Sequence, residues 1–329
     1  MTLATICIPT IGRMDYLPAV RDAVRAQTMG DFEVLVLDND APEPAKSWLE
    51  AWAAEEPRLR ILRQSPRIPM FENFDRGIRA AKGKYVTFMH DDDVYLPHYL
   101  ETPVKLMEAN PRVGFTGANF DYVDEHDQLL EKRRWIAKSE VWPGRRYIDE
   151  LVTTGRNLIP MQGLTFRREV FGDRGFDRDV SPHFGDFVIL ARIAERYDVG
   201  VFAEPVMHVR KHAAQASGGF PASKWAVLRR DMLVRYCAEY RARHPGEEAF
   251  VRKLERAIAL RYRLSLVWGW AAAEDNGEAD ACVAQLDGNA AERVAGRVLT
   301  GIGRAVGRKR VRLLADPATL RRFARMLRV

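Results

Sequence analysis

Tyr85-Val86-Thr87-Phe88-Met89-His90-Asp91-Asp92-Asp93 is an apolar run that ends abruptly in three adjacent carboxylates. Side chains alternate along a strand, so Val86 and Phe88 can bury while the acids emerge at its carboxyl end. In an open α/β sheet that end is where ligands bind. Neighbouring carboxylates repel one another unless a cation sits among them, and Mg²⁺ or Mn²⁺ favours such oxygen ligands. The competing reading is a solvated acidic turn in which Asp93 or a neighbour caps a helix near Pro97.

The pattern around this run repeats. Thr5-Ile6-Cys7-Ile8-Pro9 reads as a buried strand with a loop at Thr10-Ile11-Gly12-Arg13, followed by a helix carrying Leu17, Val20, Ala23, Val24 and Gln27. Phe32 to Leu37 is a second apolar run, and it ends at Asp38-Asn39-Asp40. A helix through Trp48, Leu49 and Trp52, a short strand at Leu59 to Leu62 and a helix with Phe74, Ile78 and Ala81 lead to Gly83 and the opening strand. Strands alternating with helices at this spacing predict a mostly parallel sheet flanked by helices, an α/β fold. Three of its loops then form one carboxylate-rich crevice. Neither a GxGxxG nor a Walker-type loop is present to cradle phosphate, which argues against a dehydrogenase or a P-loop NTPase and leaves the phosphate charge to a metal.

Beyond a helix from about His98 to Ala109, Val113 to Ala118 resumes the sheet. The stretch through Arg156 reads as loop-rich, with strands expected near Gly163–Phe166, Val199–Phe202 and Val206–Val209, and a helix after Gly185-Asp186. From about Pro221 the pattern is wholly helical, and Gly218-Gly219 marks a boundary. The expected domains are therefore 1–217, divided near 110, and a helical C-terminal region 218–329. Within the 329 residues no run of about 18 apolar positions suggests a membrane span, and the Thr5–Ile8 run is too short for a signal peptide. Cys7, Cys237 and Cys282 lack metal-ligand spacing and read as reduced thiols of a cytoplasmic protein.

The ordered motifs resemble those of the family 2 inverting glycosyltransferases of GT-A fold, over roughly residues 3 to 217. Ile6-Cys7-Ile8-Pro9-Thr10 is similar to the family's opening strand and nucleotide loop. Gln27-Thr28 with Asp31 to Asp38 resembles its second strand and acidic turn. Asn73 to Gly77 and Ala80 to Tyr85 resemble the helix and turn before the metal motif. His90-Asp91-Asp92-Asp93 with Pro97 occupies the D-x-D region, with His90 in place of the first acid. Arg167-Arg168, Gly175-Phe176-Asp177, Gly185-Asp186 and Arg210-Lys211-His212 resemble acceptor-side elements.

The resemblance implies transfer of a sugar from a nucleoside diphosphate donor to an acceptor hydroxyl with inversion. It implies that Pro9, Thr10, Asp38 and Asn39 line the nucleoside site, that Asp91 lies near the ribose, and that Asp92, with Asp93 beside it, holds Mn²⁺ or Mg²⁺. Asp186 would be the general base, its alternative being a cap on the helix that begins at Phe187. The second acid common after the second strand is Asn39 here, an amide that offers both a donor and an acceptor to a base. Arg210 and His212 read as phosphate or metal contacts, or as a solvated basic loop. His208 reads as core or as support for the site. Trp135 and Trp142 are candidates for sugar stacking. Trp48, Trp52, Trp225, Trp268 and Trp270 sit at helical spacings and read as packing.

Residues 293 to 329 carry eleven Lys and Arg against Asp316 alone, so the net charge of +6 belongs to this tail and residues 1 to 292 sum to −4. Val298, Leu299, Ile302, Val306, Leu313, Leu314, Leu320, Phe323 and Leu327 fit amphipathic helices flanked by arginines. Three readings compete: docking on the inner face of the cell membrane, packing on the catalytic domain, and a homo-oligomer interface. The first is preferred, because many related enzymes act on lipid-linked or polymeric glycans. No motif supports nucleic-acid binding. Asp121–Arg156 and Asp173–Gly185 are expected to set the acceptor and the sugar. Two other functions compete: a sugar-phosphate nucleotidyltransferase, which should carry a glycine-rich basic loop after the first strand, and a silent glycan-binding or scaffold protein.

Overall fold

The computed structural model describes residues 2–155, 158–172, 175–176, 185–212, 221–273 and 276–285. The boundary glycines Gly218-Gly219, the basic tail and most of 173–185 lie outside these residues. The chain divides into two compact units, residues 1–151 with 156–216, and residues 152–155 with 217 onward.

The first unit is built on β1 (Ala4–Thr10), α1 (Leu17–Arg25), β2 (Phe32–Asp38), α2 (Ala45–Glu55), β3 (Leu59–Ile61), α3 (Met70–Ala80) and β4 (Tyr85–Phe88). β1 and β2 are buried along nearly their whole length, as continuous apolar runs require when both sheet faces are covered. Leu17, Val20 and Val24 form the buried stripe of α1, and Phe71, Phe74 and Ile78 that of α3. β3, β2, β1 and β4 lie side by side and all parallel. The chain thus leaves β1 toward β2 and β3, then returns to its other side with β4. That reversal opens a crevice at the carboxyl ends of β1 and β4.

The sheet continues as β10 (Thr165–Arg167), β6 (Val113–Ala118), β11 (Asp198–Phe202) and β9 (Glu140–Trp142). β10 runs antiparallel between β4 and β6, β11 is parallel to β6, and β9 is antiparallel to β11. Its far half is therefore mixed, because β10 and β9 enter from irregular segments rather than from helical crossovers. Four further strands, β5 (Val94–Tyr95), β12 (Met207–Arg210), β7 (Phe120–Val123) and β8 (Leu129–Arg133), form a second small sheet in that order. β5 pairs antiparallel with β12, Val94 opposite His208.

The stretch through Arg156 is more ordered than the sequence suggests. It holds the β7–β8 hairpin, β9 and α5 (Gly144–Thr154), whose Tyr147, Ile148, Leu151 and Val152 are buried at one-turn intervals. α4 (Glu101–Ala109) begins later than expected, at Glu101. No side chain caps it, so the capping reading of Asp93 does not hold. α6 (Gly185–Ala194) follows, buried on almost all sides.

The second unit contains α7 (Ala222–Arg243), α8 (Glu248–Ala272) and α9 (Asn276–Ala284). Tyr236, Tyr240, Phe250 and Leu254 are buried, and Trp270 packs with Ala279 and Cys282. Trp268, expected to pack, is exposed. All three cysteines are free and buried. Among the described residues no helix is long and apolar enough to cross a membrane.

Candidate functional site

The β1–β4 crevice assembles the acids. Thr10 ends β1 beside Asp38 of β2, and its hydroxyl donates to Asp91 Oδ2 at 2.5 Å while accepting the Gly12 amide at 2.9 Å. Gly12 holds φ +89°, and a Cβ there would sit 2.9 Å from the Ala45 Cβ. Only glycine turns this loop without strain. The turn brings Arg13 Nη1 to 2.7 Å from Asp91 Oδ1 and 3.0 Å from Asp92 Oδ2.

β5 follows the acids directly, and its pairing with β12 fixes what faces them. The Arg210 amide donates to Asp93 Oδ1 at 2.9 Å, and His212 Nε2 lies 3.1 Å from Asp92 Oδ2. The Arg210 guanidinium donates to the carbonyls of Asp92, Asp124 and Glu125 and to the Asp127 carboxylate. Expected on the donor side, Arg210 is instead buried against protein acceptors and braces the second sheet on the acidic turn. His208 lies half-buried, 3.8 Å from Asp121, consistent with a supporting role.

His90, Asp92 and Asp93 each offer a ligand atom within 4.8 Å of the others. The His90 backbone amide donates to the Tyr95 hydroxyl, and its ring lies 5.6 Å from that of Phe74. Burial pushes the His90 pKa down to about 4, with Asp92 opposing and Arg13 adding to the shift. A neutral imidazole is the form that ligates metal. Burial and then the Asp92 charge push Asp93 up to about 8. Burial also raises Asp91, against the pull of Arg13 and Thr10. His90 Nε2 and Asp93 Oδ2 are buried without a hydrogen-bond partner. A ring nitrogen and a carboxyl oxygen left without partners beside Asp92 fit a divalent cation with mixed oxygen and nitrogen ligands.

On the nucleoside side, Asp38 accepts from the Ala41 amide at 2.9 Å and from Arg63 Nε at 3.2 Å. Asn39 is buried, and its amide is engaged: Oδ1 accepts the Ile68 amide and Nδ2 donates to the Ile68 carbonyl, both at 2.9 Å. The residue expected to offer donor and acceptor to a base instead ties down the segment after β3. Pro9 lies within β1 opposite Leu37, with its side chain half-buried at the crevice edge.

Asp186 stands in the first turn of α6 and accepts its neighbour Phe187's amide at 3.0 Å. A Cβ on Gly185 would meet the Phe71 ring at 2.7 Å. Phe71 stacks on Phe176 and meets Phe74 edge-on, and Phe74 adjoins His90. An aromatic wall thus runs from the start of α6 to the acidic turn. The Tyr147 hydroxyl is pushed up by burial and by the Asp186 charge.

Trp142 is buried under the Arg146 guanidinium, with its indole N–H on Glu140, which makes it a packing residue rather than a sugar platform. Trp135 is partly buried against the core, with Arg133 over its ring. The sequence reading gave no role to Arg13, which closes the acidic turn. Its place three residues after Thr10 was the available signal, but its partners lie 78 and 79 positions away.

The family model described as Glycosyl transferase family 2 matches residues 5–175, more than half of the chain. An uncharacterized glycosyltransferase of Haemophilus influenzae is 25% identical over 113 residues, 34% of this chain and 37% of that protein. Another, from a Nostoc species, is 26% identical over 162 residues, covering 47% and 48%. The matches to these relatives span less than half of their length. Among solved structures, S. aureus TarS 1-349 in complex with UDP-GlcNAc superposes with a TM-score of 0.65 at 13% identity, over 86% of this chain and 79% of that one. The mannosyltransferase PcManGT from Pyrobaculum calidifontis, in complex with GDP-Man and Mn²⁺, superposes at 0.56 and 17% identity over 95% and 83%. The shared architecture is the GT-A fold.

Proposed function

The chain belongs to glycosyl transferase family 2, and from that premise we propose that it is a metal-dependent, inverting glycosyltransferase. It moves a sugar from a nucleoside diphosphate sugar to an acceptor hydroxyl of a glycan or lipid-linked glycan in surface glycan assembly. We assign the reaction to residues 1–217, at the cytoplasmic side of the membrane, with the basic tail as the membrane contact. The observation that carries this reading is the trio His90, Asp92 and Asp93, with two buried polar atoms unpartnered at the β1–β4 crevice. Two proteins of the same fold hold nucleotide sugars, one together with Mn²⁺.

Asp92 and Asp93, with His90 beside them, would hold Mn²⁺ or Mg²⁺. When bound, the ion neutralises charge that builds on the departing diphosphate. Thr10 fixes Asp91, and Asp91 would meet the ribose. Asp38 and Pro9 edge the nucleoside site. Asp186, at the far end of the aromatic wall, would take the proton of the acceptor hydroxyl as its oxygen bonds to the anomeric carbon and the bond to diphosphate breaks. Such base catalysis is typically worth roughly 10²–10⁴-fold. Attack from the face opposite the leaving group inverts the centre.

A panel of UDP-, dTDP- and GDP-sugars with Mn²⁺ and a glycan acceptor tests this reading. Donor turnover should vanish with chelator and in Asp92→Ala, whose folded structure should survive. Asp186→Asn should keep donor binding and lose transfer. Full turnover in Asp92→Ala would remove the metal assignment, and full turnover in Asp186→Asn would remove the base. Diphosphate release from a sugar-1-phosphate and a nucleoside triphosphate would mark a nucleotidyltransferase instead.

A further inference from the structure

Arg13 reaches both Asp91 and Asp92 through a single nitrogen, at 2.7 and 3.0 Å. The Asp92 oxygen it meets, Oδ2, also receives His212 Nε2 at 3.1 Å. The carboxylate proposed to hold a divalent ion is therefore already held by two nitrogen donors. A metal ion bound to Asp92 and a guanidinium bound to the same oxygen are two cations a few ångströms apart, and they repel. Arg13 has somewhere to go. It sits on the short loop between β1 and α1, next to Gly12 in its left-handed conformation, and its side chain is 27% exposed. A diphosphate in the crevice would offer the planar guanidinium the paired oxygens it binds best.

We infer that Arg13 is a positioning residue that couples metal binding to diphosphate binding. It holds Asp91 and Asp92 together against their mutual repulsion, then passes to the diphosphate as the ion takes Asp92. The inference rests on the metal-dependent reading above. Each ligand binding alone must work against Arg13: the metal competes with it for Asp92, and the diphosphate meets a guanidinium already engaged. Bound together, the ion takes over Asp92 and the diphosphate takes the guanidinium, while the Thr10 hydroxyl still donates to Asp91. The coupling is reciprocal, each ligand strengthening the other by the same factor.

The test uses the full chain, with Mn²⁺ as the metal probe and UDP and GDP as the nucleotide probes. Free Mn²⁺ is followed by its paramagnetic resonance signal and nucleotide binding by calorimetry, while thermal melts verify that each variant is folded. In wild type, Mn²⁺ alone binds weakly, and one of the nucleotides tightens it by a factor of about 5–150, the usual range of allosteric coupling. Arg13→Gln should bind Mn²⁺ alone about fivefold or more tightly than wild type, with the coupling factor falling toward one. Arg13→Lys retains the charge and should keep the weak binding of Mn²⁺ alone. Arg13→Gln with unchanged Mn²⁺ affinity and unchanged coupling would overturn the inference, as would Arg13→Lys behaving like Arg13→Gln. Wild type that binds no Mn²⁺ with or without either nucleotide would sink the metal-dependent reading as well. Mn²⁺ binding lost in Asp92→Ala but indifferent to Arg13 would sink this inference alone.

Discussion

At Asn39 both ends of the side-chain amide meet Ile68, which makes the residue a clamp on the segment after β3. Removing one partner of a buried pair leaves the other unsatisfied, at a cost of about 1–3 kcal/mol. Asn39→Ala should therefore lower stability by that amount in a urea melt and weaken nucleotide binding only through the loosened loop. Loss of UDP or GDP affinity with stability intact would show instead that Asn39 reads the base. The acids at 91–93 were legible because they are adjacent in sequence and follow an apolar run. The partners of Asn39, Asp38 and Asp91 were not, since Ile68, Arg63 and Arg13 lie 25 to 78 positions away. Local pattern carries no register for contacts of that range. Glu33 is a similar case. Burial alone would raise its carboxyl, but the Lys82 amide, Arg60 and Thr5 overcome that and hold it below the usual range. Stability from Glu33 is present above the ordinary carboxylate pKa and is lost as pH falls through its lowered folded value. Glu33→Gln should accordingly lose less stability on acidification than wild type, measured by melts from pH 6 downward. An identical acid profile would show that the network contributes nothing.

Among elements, the turn from α3 into β4 is a tight joint, at the amino edge of the sheet opposite the site. A Cβ on Gly83 would lie 2.5 Å from the Ala4 carbonyl carbon and 2.6 Å from the Thr5 nitrogen, so β1 and this turn touch backbone to backbone. The Gly83 amide also donates to Thr5 Oγ1 at 3.0 Å. Gly83→Ala should destabilise by about 3 kcal/mol or more, at the upper end of single substitutions, because neither backbone can yield without moving the sheet. Gly30→Ala, where nothing lies within 4 Å, should change stability by no more than about 0.5 kcal/mol. Equal effects in a denaturant melt would contradict this account of the joint. The run from β1 to β4 was readable because its longer strands are mostly apolar stretches and each helix has a clear stripe. β5 was missed because two residues carry no period, and β8 because its residues are exposed on both faces. In α5, the pairs Tyr147-Ile148 and Leu151-Val152 were a helical signal that the preceding Pro143-Gly144 disguised as a turn.

For the whole molecule, charge is the property most unevenly distributed, with the tail strongly basic and the remainder slightly acidic. Each Lys or Arg near an anionic leaflet is worth about 1 kcal/mol, screened by salt. The chain should cosediment with vesicles containing phosphatidylglycerol but not with phosphatidylcholine vesicles, release in high salt, and lose binding when truncated after Gln285. Retention by the truncated chain would move the membrane contact elsewhere, and no binding by the full chain would remove it. In the crevice between β1 and β4, Asp92 would hold the proposed cation against the diphosphate. The most direct test is the anomalous signal of Mn²⁺ in crystals grown with UDP or GDP. A peak is expected at bonding distance from Asp92 and from a phosphate oxygen of the nucleotide. Nucleotide bound in the crevice with Mn²⁺ elsewhere, or with Asp92 turned away from it, would contradict this placement.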